Sequence, residues 1–329
     1  MVAIPKFRYI SVSLGEEGVL VLKYNRPEAG NAINNATIKE LFRALQWAVE
    51  EPKVRIIVQT GEGKFFTTGM DLSTTQGEVD SPQILYEVNK LMINCEKITI
   101  AAVNGPGVGY GASSIGLFDL VYTVPDAYFF TPFIKWGLCA EACSSFAFPS
   151  TMGRQRASHM LLTGDRIKAP ELEAAGLVSK IIAKENFLRD VLAIAKLLAG
   201  QPAEALKANK QLLSKCWKEQ LHETNERELR AFEDLMQGIL QNDTHRFALN
   251  MELTNRKPVP TDQEGAFGTW PEEIPGTDHV EDSKEQANLA DALTNTEKKR
   301  VMYIMTYVDF FHVYNLSQHE CAPSTVTLQ

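Results

Sequence analysis

The chain has 329 residues, 44% of them hydrophobic and 22% charged, which is enough apolar sequence for one large core or two smaller ones. A formal net charge of -8 and a pI near 5.4 exclude the broad basic surface of a nucleic-acid binder or a polybasic membrane patch, while leaving room for a local basic face that takes a phosphate. Five cysteines (Cys95, Cys139, Cys143, Cys216 and Cys321) are too few, and odd in number, for a secreted disulfide framework, so a reducing compartment is expected.

The opening MVAIPKFRYISVSL has neither the apolar core of a secretory signal nor the Arg/Ser enrichment of a transit peptide. Residues 8–14 and 18–24 are β-rich runs around Gly15-Glu16-Glu17-Gly18, which predicts a hairpin. Leu41, Leu45, Ala48 and Val49 at helical spacing predict a helix over 36–50, ending before Pro52. VRIIVQT (54–60) predicts a buried strand and 82–96 a helix. ITIAAVN (98–104) is the next strand, and the glycines of 105–111 lead into a short helix. LVYTV (120–124) and YFF (128–130) are further strands. Strands alternating with helices predict crossovers and a mainly parallel sheet covered by helices. From about 155 the chain turns helical, over 155–163, 170–175, 185–199, 202–217 and 219–241, with LVSKII (177–182) the one strand-like run.

Beyond Pro258 the composition changes. Residues 261–300 hold ten Asp/Glu against four Lys/Arg, which predicts a solvated acidic extension. Residues 301–316 are apolar and aromatic but too short to span a bilayer, and no transmembrane segment is predicted.

Three segments carry candidate chemistry. KFFTTGMDL (64–72) is a turn directly after a strand, where a glycine lets the backbone approach a ligand and point an N–H outward. NGPGVGYGAS (104–113) follows the next strand and opens a helix, whose unpaired N–H groups favour negative charge. Two such turns are able to supply two backbone donors to one oxyanion, although each alone also reads as a plain tight turn. Gly107, Gly109 and Ala112 also fit a dinucleotide-binding G-x-G-x-x-A, for which Asp126 is the nearest candidate ribose partner.

The third segment is WGLCAEACSSFAFP (136–149), in which Glu141 is the only acidic residue between Asp126 and Asp165. Apolar surroundings disfavour a carboxylate's charged form and raise its pKa toward a value useful for moving protons near neutrality. A glutamate favoured by a helix N-terminus is the competing reading. Cys139 and Cys143 have the look of a metal half-site, but no second pair completes four ligands, so no metal is predicted. The six histidines form no HExxH or Ser-His-Asp pattern.

From about residue 8 to about 257 the chain resembles the enoyl-CoA hydratase/isomerase (crotonase) superfamily. YNRPEAGNAIN (24–34) resembles its N-terminal signature, KFFTTGMDL and NGPGVGYGAS its two oxyanion turns, and MLLTGDRIKAPELEAAGLVSKI (160–181) the segment that follows. The resemblance implies an α/β fold with a spiral core of ββα turns over 1–200, a helical trimerisation region over 201–258, and the acidic extension over 259–329. It implies an acyl-CoA thioester substrate, coenzyme A being part of that substrate and not a separate cofactor, and a homotrimer or hexamer.

By the same resemblance the oxyanion donors are the backbone N–H groups of Met70, where alanine is commoner, and Tyr110. Thr68, Gly69, Asp71 and Leu72 line the thioester and pantetheine. Arg26, with Lys207 and Lys210, is a candidate for the CoA phosphates, a solvated helix face being the other reading of the two lysines. Hydratases of the family carry two glutamates; the corresponding positions, near Ser113 and Phe133, are not acidic. The Glu141 stretch is similar instead to the PEGCSS segment of peroxisomal Δ3,Δ2-enoyl-CoA isomerases, with Ala140 for the proline and Ala142 for the glycine.

The expected activity is therefore a Glu141-mediated 1,3-proton shift. The alternatives are another crotonase reaction such as hydration or a tailoring step, a non-catalytic acyl-CoA-binding protein, or a nicotinamide oxidoreductase on the 107–112 glycines. The resemblance suggests peroxisomes. The terminal Thr-Leu-Gln is not an SKL-type address, which keeps the cytoplasm as the alternative.

Overall fold

The structure, a computed structural model, describes residues 3–71 and 83–241, with side chains to 235. Leu72, residues 242–258 of the expected trimerisation region and the whole 259–329 extension lie outside the described residues.

The predicted hairpin is β1 (Ile10–Leu14) and β2 (Val19–Tyr24), antiparallel, with Ile10 opposite Tyr24 and Leu14 opposite Leu20. Helix α1 (Asn35–Glu50) starts where the Asn34 side chain accepts the Thr37 N–H at 2.9 Å, satisfying a donor the first turn leaves unpaired. It buries Ile38, Leu41, Leu45 and Ala48 along one stripe. β3 (Ile56–Gly61), α2 (Gln83–Asn94) and β4 (Ile98–Val103) follow, then β5 (Gly107–Val108), α3 (Tyr110–Ser113), β6 (Leu120–Thr123) and β7 (Tyr128–Phe130). The second half is α4 (Ser144–Met152), α5 (Arg154–Thr163), β8 (Ile167–Lys168), α6 (Ala169–Ala174), β9 (Lys180–Ile181), α7 (Phe187–Ala199) and α8 (Ala203–Gln241).

Six strands form one sheet in the order β1-β2-β3-β4-β6-β9, parallel throughout except for the β1–β2 hairpin. A strand covered on both faces has no polar side to show, and β3 is buried at every position. A smaller sheet, β5-β7-β8, takes a second, shorter strand from successive turns of the chain. Isolated bridges extend it: Ile33 pairs with Met70, and Thr67 with Gly107. Each turn thus gives a long strand to one sheet and a short extended piece to the other before a helix returns it, which is the expected α/β spiral of ββα turns.

Three elements differ from expectation. The helices predicted over 202–217 and 219–241 are one 39-residue helix, α8, because nothing near Lys218 breaks it: the helix contains no proline, and its one glycine is Gly238. Helix α4 was not predicted; SSFAFPSTM has Pro149 in its interior and no polar-apolar periodicity, and it stops at Gly153, φ 81°. The strand expected over 177–182 shrinks to β9, two residues that pair with Tyr122 and Thr123.

Candidate active site

The two glycine turns meet. Gly69 has φ +78°, and a Cβ there would lie 2.6 Å from the Val108 carbonyl oxygen and 3.3 Å from the Tyr110 nitrogen. Only glycine lets the first turn come this close to the second. Gly109, at φ 54° and ψ -118°, occupies backbone space closed to other residues and opens α3. Ordinary hydrogen bonds lock both turns. Ile33 N–H donates to the Gly69 carbonyl at 2.8 Å, Asp71 N–H to Ile33 at 2.9 Å, Val108 N–H to Thr67 at 3.0 Å and Gly109 N–H to Phe130 at 3.0 Å.

In this parallel bridge the residue facing Ile33 directs its own N–H away, so Met70 N–H points out of the ladder. Tyr110 is the first residue of α3, where an N–H has no intrahelical acceptor. Neither amide has a hydrogen-bond acceptor among the described residues. Two unspent donors therefore sit on adjacent turns, as an oxyanion site requires.

Glu141 lies in the loop before α4 and is part-buried. Burial, followed by the negative charge of Glu228, pushes its pKa up to about 8. Its backbone carbonyl accepts from Ser144 N–H at 3.1 Å and Ser144 Oγ at 2.7 Å, whereas its carboxylate has no hydrogen-bond partner among the described residues. The Tyr110 phenol is driven well upward by burial, then by Tyr24 and by Glu141. After Glu141 the chain passes through two non-glycine residues in the left-handed region, Ala142 (φ 54°) and Cys143 (φ 59°).

What holds this loop comes from α8. Glu228 is 4% exposed, and its two oxygens accept Cys143 N–H at 2.7 Å and Ser145 N–H at 2.9 Å, capping α4 from 85 and 83 residues away. One turn earlier on α8, Asn225 accepts from Asn89 Nδ2 at 2.9 Å and donates to the Tyr86 carbonyl at 3.1 Å. Asn89 in turn accepts from the Tyr110 hydroxyl at 3.0 Å. Sequence reasoning passed over Asn89, Asn225 and Glu228. Nothing in NERELR marks one glutamate of a charged helix as buried.

The other predicted site residues fall as follows. Thr68 is tied by its N–H to the Gly30 carbonyl at 3.1 Å. Arg26 and Asp71 are brought together, but as partners of each other. The guanidinium bonds the Asp71 carboxylate at 2.8 Å and the Ala32 carbonyl at 2.6 Å, strapping the 26–32 turn to the Gly69 loop where a free cation for phosphate was expected. Lys210 is likewise spent on Asp119 and the Lys97 carbonyl, both at 2.7 Å, and Lys207 pairs with Glu96 at 2.7 Å on the surface.

Ser113 and Phe133 are buried, at the positions where a hydratase would carry its acids. The dinucleotide alternative loses its frame. The helix after the glycines is only four residues, and Asp126 pairs with Lys184 at the surface. Cys139 and Cys143 turn toward α8, their thiols facing the carbonyls of Glu228 (3.8 Å) and Leu221 (3.2 Å).

A family model described as Enoyl-CoA hydratase/isomerase matches residues 15–252. Enoyl-CoA delta isomerase 2 of Homo sapiens is 35% identical over 226 residues, covering 66% of this chain and 57% of that protein. Enoyl-CoA delta isomerase 3, peroxisomal, of Mus musculus is 33% identical over 224 residues, covering 66% of this chain and 70% of that one. Among solved structures, the enoyl-CoA hydratase/isomerase of Pseudoalteromonas atlantica T6c is similar with a TM-score of 0.68 at 29% identity, covering 77% of this chain and 99% of that chain. The chain spans little more than half the length of the human and rat isomerase 2 relatives, 57% and 56%. With a match that runs through both glycine turns, the Glu141 loop and all of α8, the chain belongs to the enoyl-CoA hydratase/isomerase family, within the crotonase superfamily.

Proposed function

We propose that the protein is a Δ3,Δ2-enoyl-CoA isomerase in which Glu141 moves the proton. The observation that carries this reading is a part-buried carboxylate with no hydrogen-bond partner among the described residues, its pKa lifted to about 8, in a chain whose two glycine turns carry unspent N–H groups. A 1,3-shift needs one such group. Glu141 takes a proton from C2 of a 3-enoyl-CoA, and the electron pair spreads through the C3=C4 bond and the thioester carbonyl as a dienolate. The N–H groups of Met70 and Tyr110 hold the developing oxyanion, with Thr68, Gly69 and Asp71 beside the thioester. The protonated Glu141 then returns its proton at C4, leaving the double bond between C2 and C3 and the enzyme unchanged.

Hydration is the rival within the family, and it calls for a second carboxylate free to activate water. Glu228 lies near enough to raise the Glu141 pKa, but both its oxygens are occupied by backbone N–H groups. Relatives named enoyl-CoA delta isomerases support the isomerase, although another relative is named a probable hydratase, and the name of one isomerase supports a peroxisomal location. A homotrimer or hexamer belongs to the same reading and is checked by light scattering of the full chain.

The deciding experiment compares trans-3-enoyl-CoA with trans-2-enoyl-CoA as substrates for the wild type and Glu141→Gln. The wild type should move the double bond and fail to hydrate. Its kcat/KM should rise with pH through about 8 as Glu141 loses its proton. The variant should bind acyl-CoA normally and lose about 10²–10⁴ in kcat. Isomerisation retained in Glu141→Gln rejects the assignment.

A further inference from the structure

We propose that Glu228, on α8, is a positioning residue that sets the Glu141 loop against the Tyr110 turn through its two backbone hydrogen bonds. The inference rests on the reading of Glu141 as the proton-transfer group. It starts from an oddity of α8. Most of the described side chains of this helix are exposed, yet Thr224, Asn225 and Glu228 are 0%, 1% and 4% exposed. A buried carboxylate is unfavourable unless its oxygens are well satisfied. No Lys or Arg is ion-paired with Glu228 among the described residues; its partners are the N–H groups of Cys143 and Ser145 and the Ser145 hydroxyl.

Those two amides frame the start of α4, immediately after the left-handed pair Ala142 and Cys143. Consecutive left-handed residues with a Cβ persist where the surroundings over-determine them. Here the over-determination is the Glu228 carboxylate, and the residue whose direction it fixes is Glu141, just upstream. The same helix reaches the other half of the site. Asn225, through Asn89, is joined to the hydroxyl of Tyr110. One buried polar edge of α8 thus contacts both the proton-transfer loop and the second glycine turn, and fixes their separation. Misplacement by about 1 Å is enough to lose about 10²-fold in rate.

Glu228 also acts by charge. The groups facing it are Glu141, Cys139 and Cys143 from the loop, with Arg227 beside it on α8; those facing Glu141 are Glu228, Cys139 and the Tyr110 phenol. Both carboxyls are raised by burial, and Glu228 adds a like charge that raises Glu141 further. Glu228→Gln keeps the shape and one carbonyl acceptor but removes that charge, so the Glu141 titration midpoint should fall below its wild-type value. A purely structural prop would not move it.

The test is the full chain with Glu228→Gln and Glu228→Ala. Steady-state kinetics on 3-enoyl-CoA are run across pH, and the Glu141 carboxyl is titrated by ¹³C NMR with no substrate present. The Gln variant should lose about tenfold in kcat and the Ala variant about 100-fold, with KM changed less than about twofold. In Glu228→Gln the acid limb of kcat/KM and the NMR midpoint should both move to lower pH. An unmoved midpoint overturns the proposal, whether kcat falls or not. If Glu228→Ala fails to fold, the Gln variant decides. The titration needs no turnover. A shifted midpoint in a protein that moves no double bond would sink the isomerase reading and leave the positioning role standing; turnover with an unmoved midpoint would do the reverse.

Discussion

The two halves of the site are held by different means. The Met70 and Tyr110 turns stand at strand ends, fixed by neighbouring backbone and by glycines that pack into each other. The Glu141 loop has no glycine at the two left-handed positions that follow Glu141, Ala142 and Cys143, and it is bonded there by a side chain 85 residues away. Backbone donors come with the fold, because strand ends and helix starts leave N–H groups unpaired. A carboxylate that must stay enclosed, uncommitted and correctly aimed needs support from a distant element. The turns should therefore be sensitive to local steric change, and the loop to changes in α8.

The largest effect expected from breaking the first half follows Gly69→Ala. The new Cβ would meet the Val108 carbonyl oxygen at 2.6 Å, a backbone atom with little freedom to retreat, and φ +78° is unfavourable for alanine. The two turns must separate, and Met70 N–H moves with them. Loss of one oxyanion donor predicts a fall of about 10²–10³ in kcat, roughly 2.7–4 kcal/mol, with acyl-CoA still bound. Wild-type kcat in Gly69→Ala would show that Met70 N–H does not hold the oxyanion.

A smaller effect is expected from Asn225→Ala, which cuts the link between α8 and the Tyr110 side of the site. Asn89 loses the acceptor for its amide, and the Tyr86 carbonyl loses a donor, both in the interior. Leaving the Asn89 amide without its acceptor predicts destabilisation of about 1–3 kcal/mol, read from the urea midpoint. Because the Tyr110 turn keeps its backbone bonds, kcat should fall far less than in Gly69→Ala. A loss of activity as large as that of the glycine variant would mean that the second turn depends on α8 as much as the loop does.

This division also explains what could be read from the sequence. The glycine turns were legible because all their determinants are local: a strand, a glycine and a helix start within a few residues. Glu141 was legible as the lone acid of an apolar stretch. The Glu228 contact was not, because its carboxylate looks like any other in a charged helix until the chain folds. Arg26 and Lys210 are the complementary case. A basic residue near a site suggests a phosphate, but each had an acidic partner, Asp71 or Asp119, 45 or 91 positions away that no local pattern reveals. Helix α4 was missed because part of what starts it is that same remote glutamate.

The smallest change sharpens the comparison most directly. Ala142 is held at φ 54°, where a residue with a Cβ is disfavoured by about 1–2 kcal/mol and glycine is not. Glycine also adds freedom to the unfolded chain, which offsets about 0.5–1 kcal/mol of the gain. Ala142 is fully buried, so its lost methyl offsets about 0.8 kcal/mol more, and Ala142→Gly should lie within about 0.5 kcal/mol of the wild type in its urea midpoint at unchanged slope. Its second consequence concerns the clamp. With glycine at 142 the loop reaches its left-handed turn with less help, so adding Glu228→Gln to Ala142→Gly should cost less kcat than adding it to the wild type. A double-mutant cycle measures that coupling. Additive losses would show that Glu228 acts on Glu141 through charge alone, and that the loop's backbone holds its shape unaided.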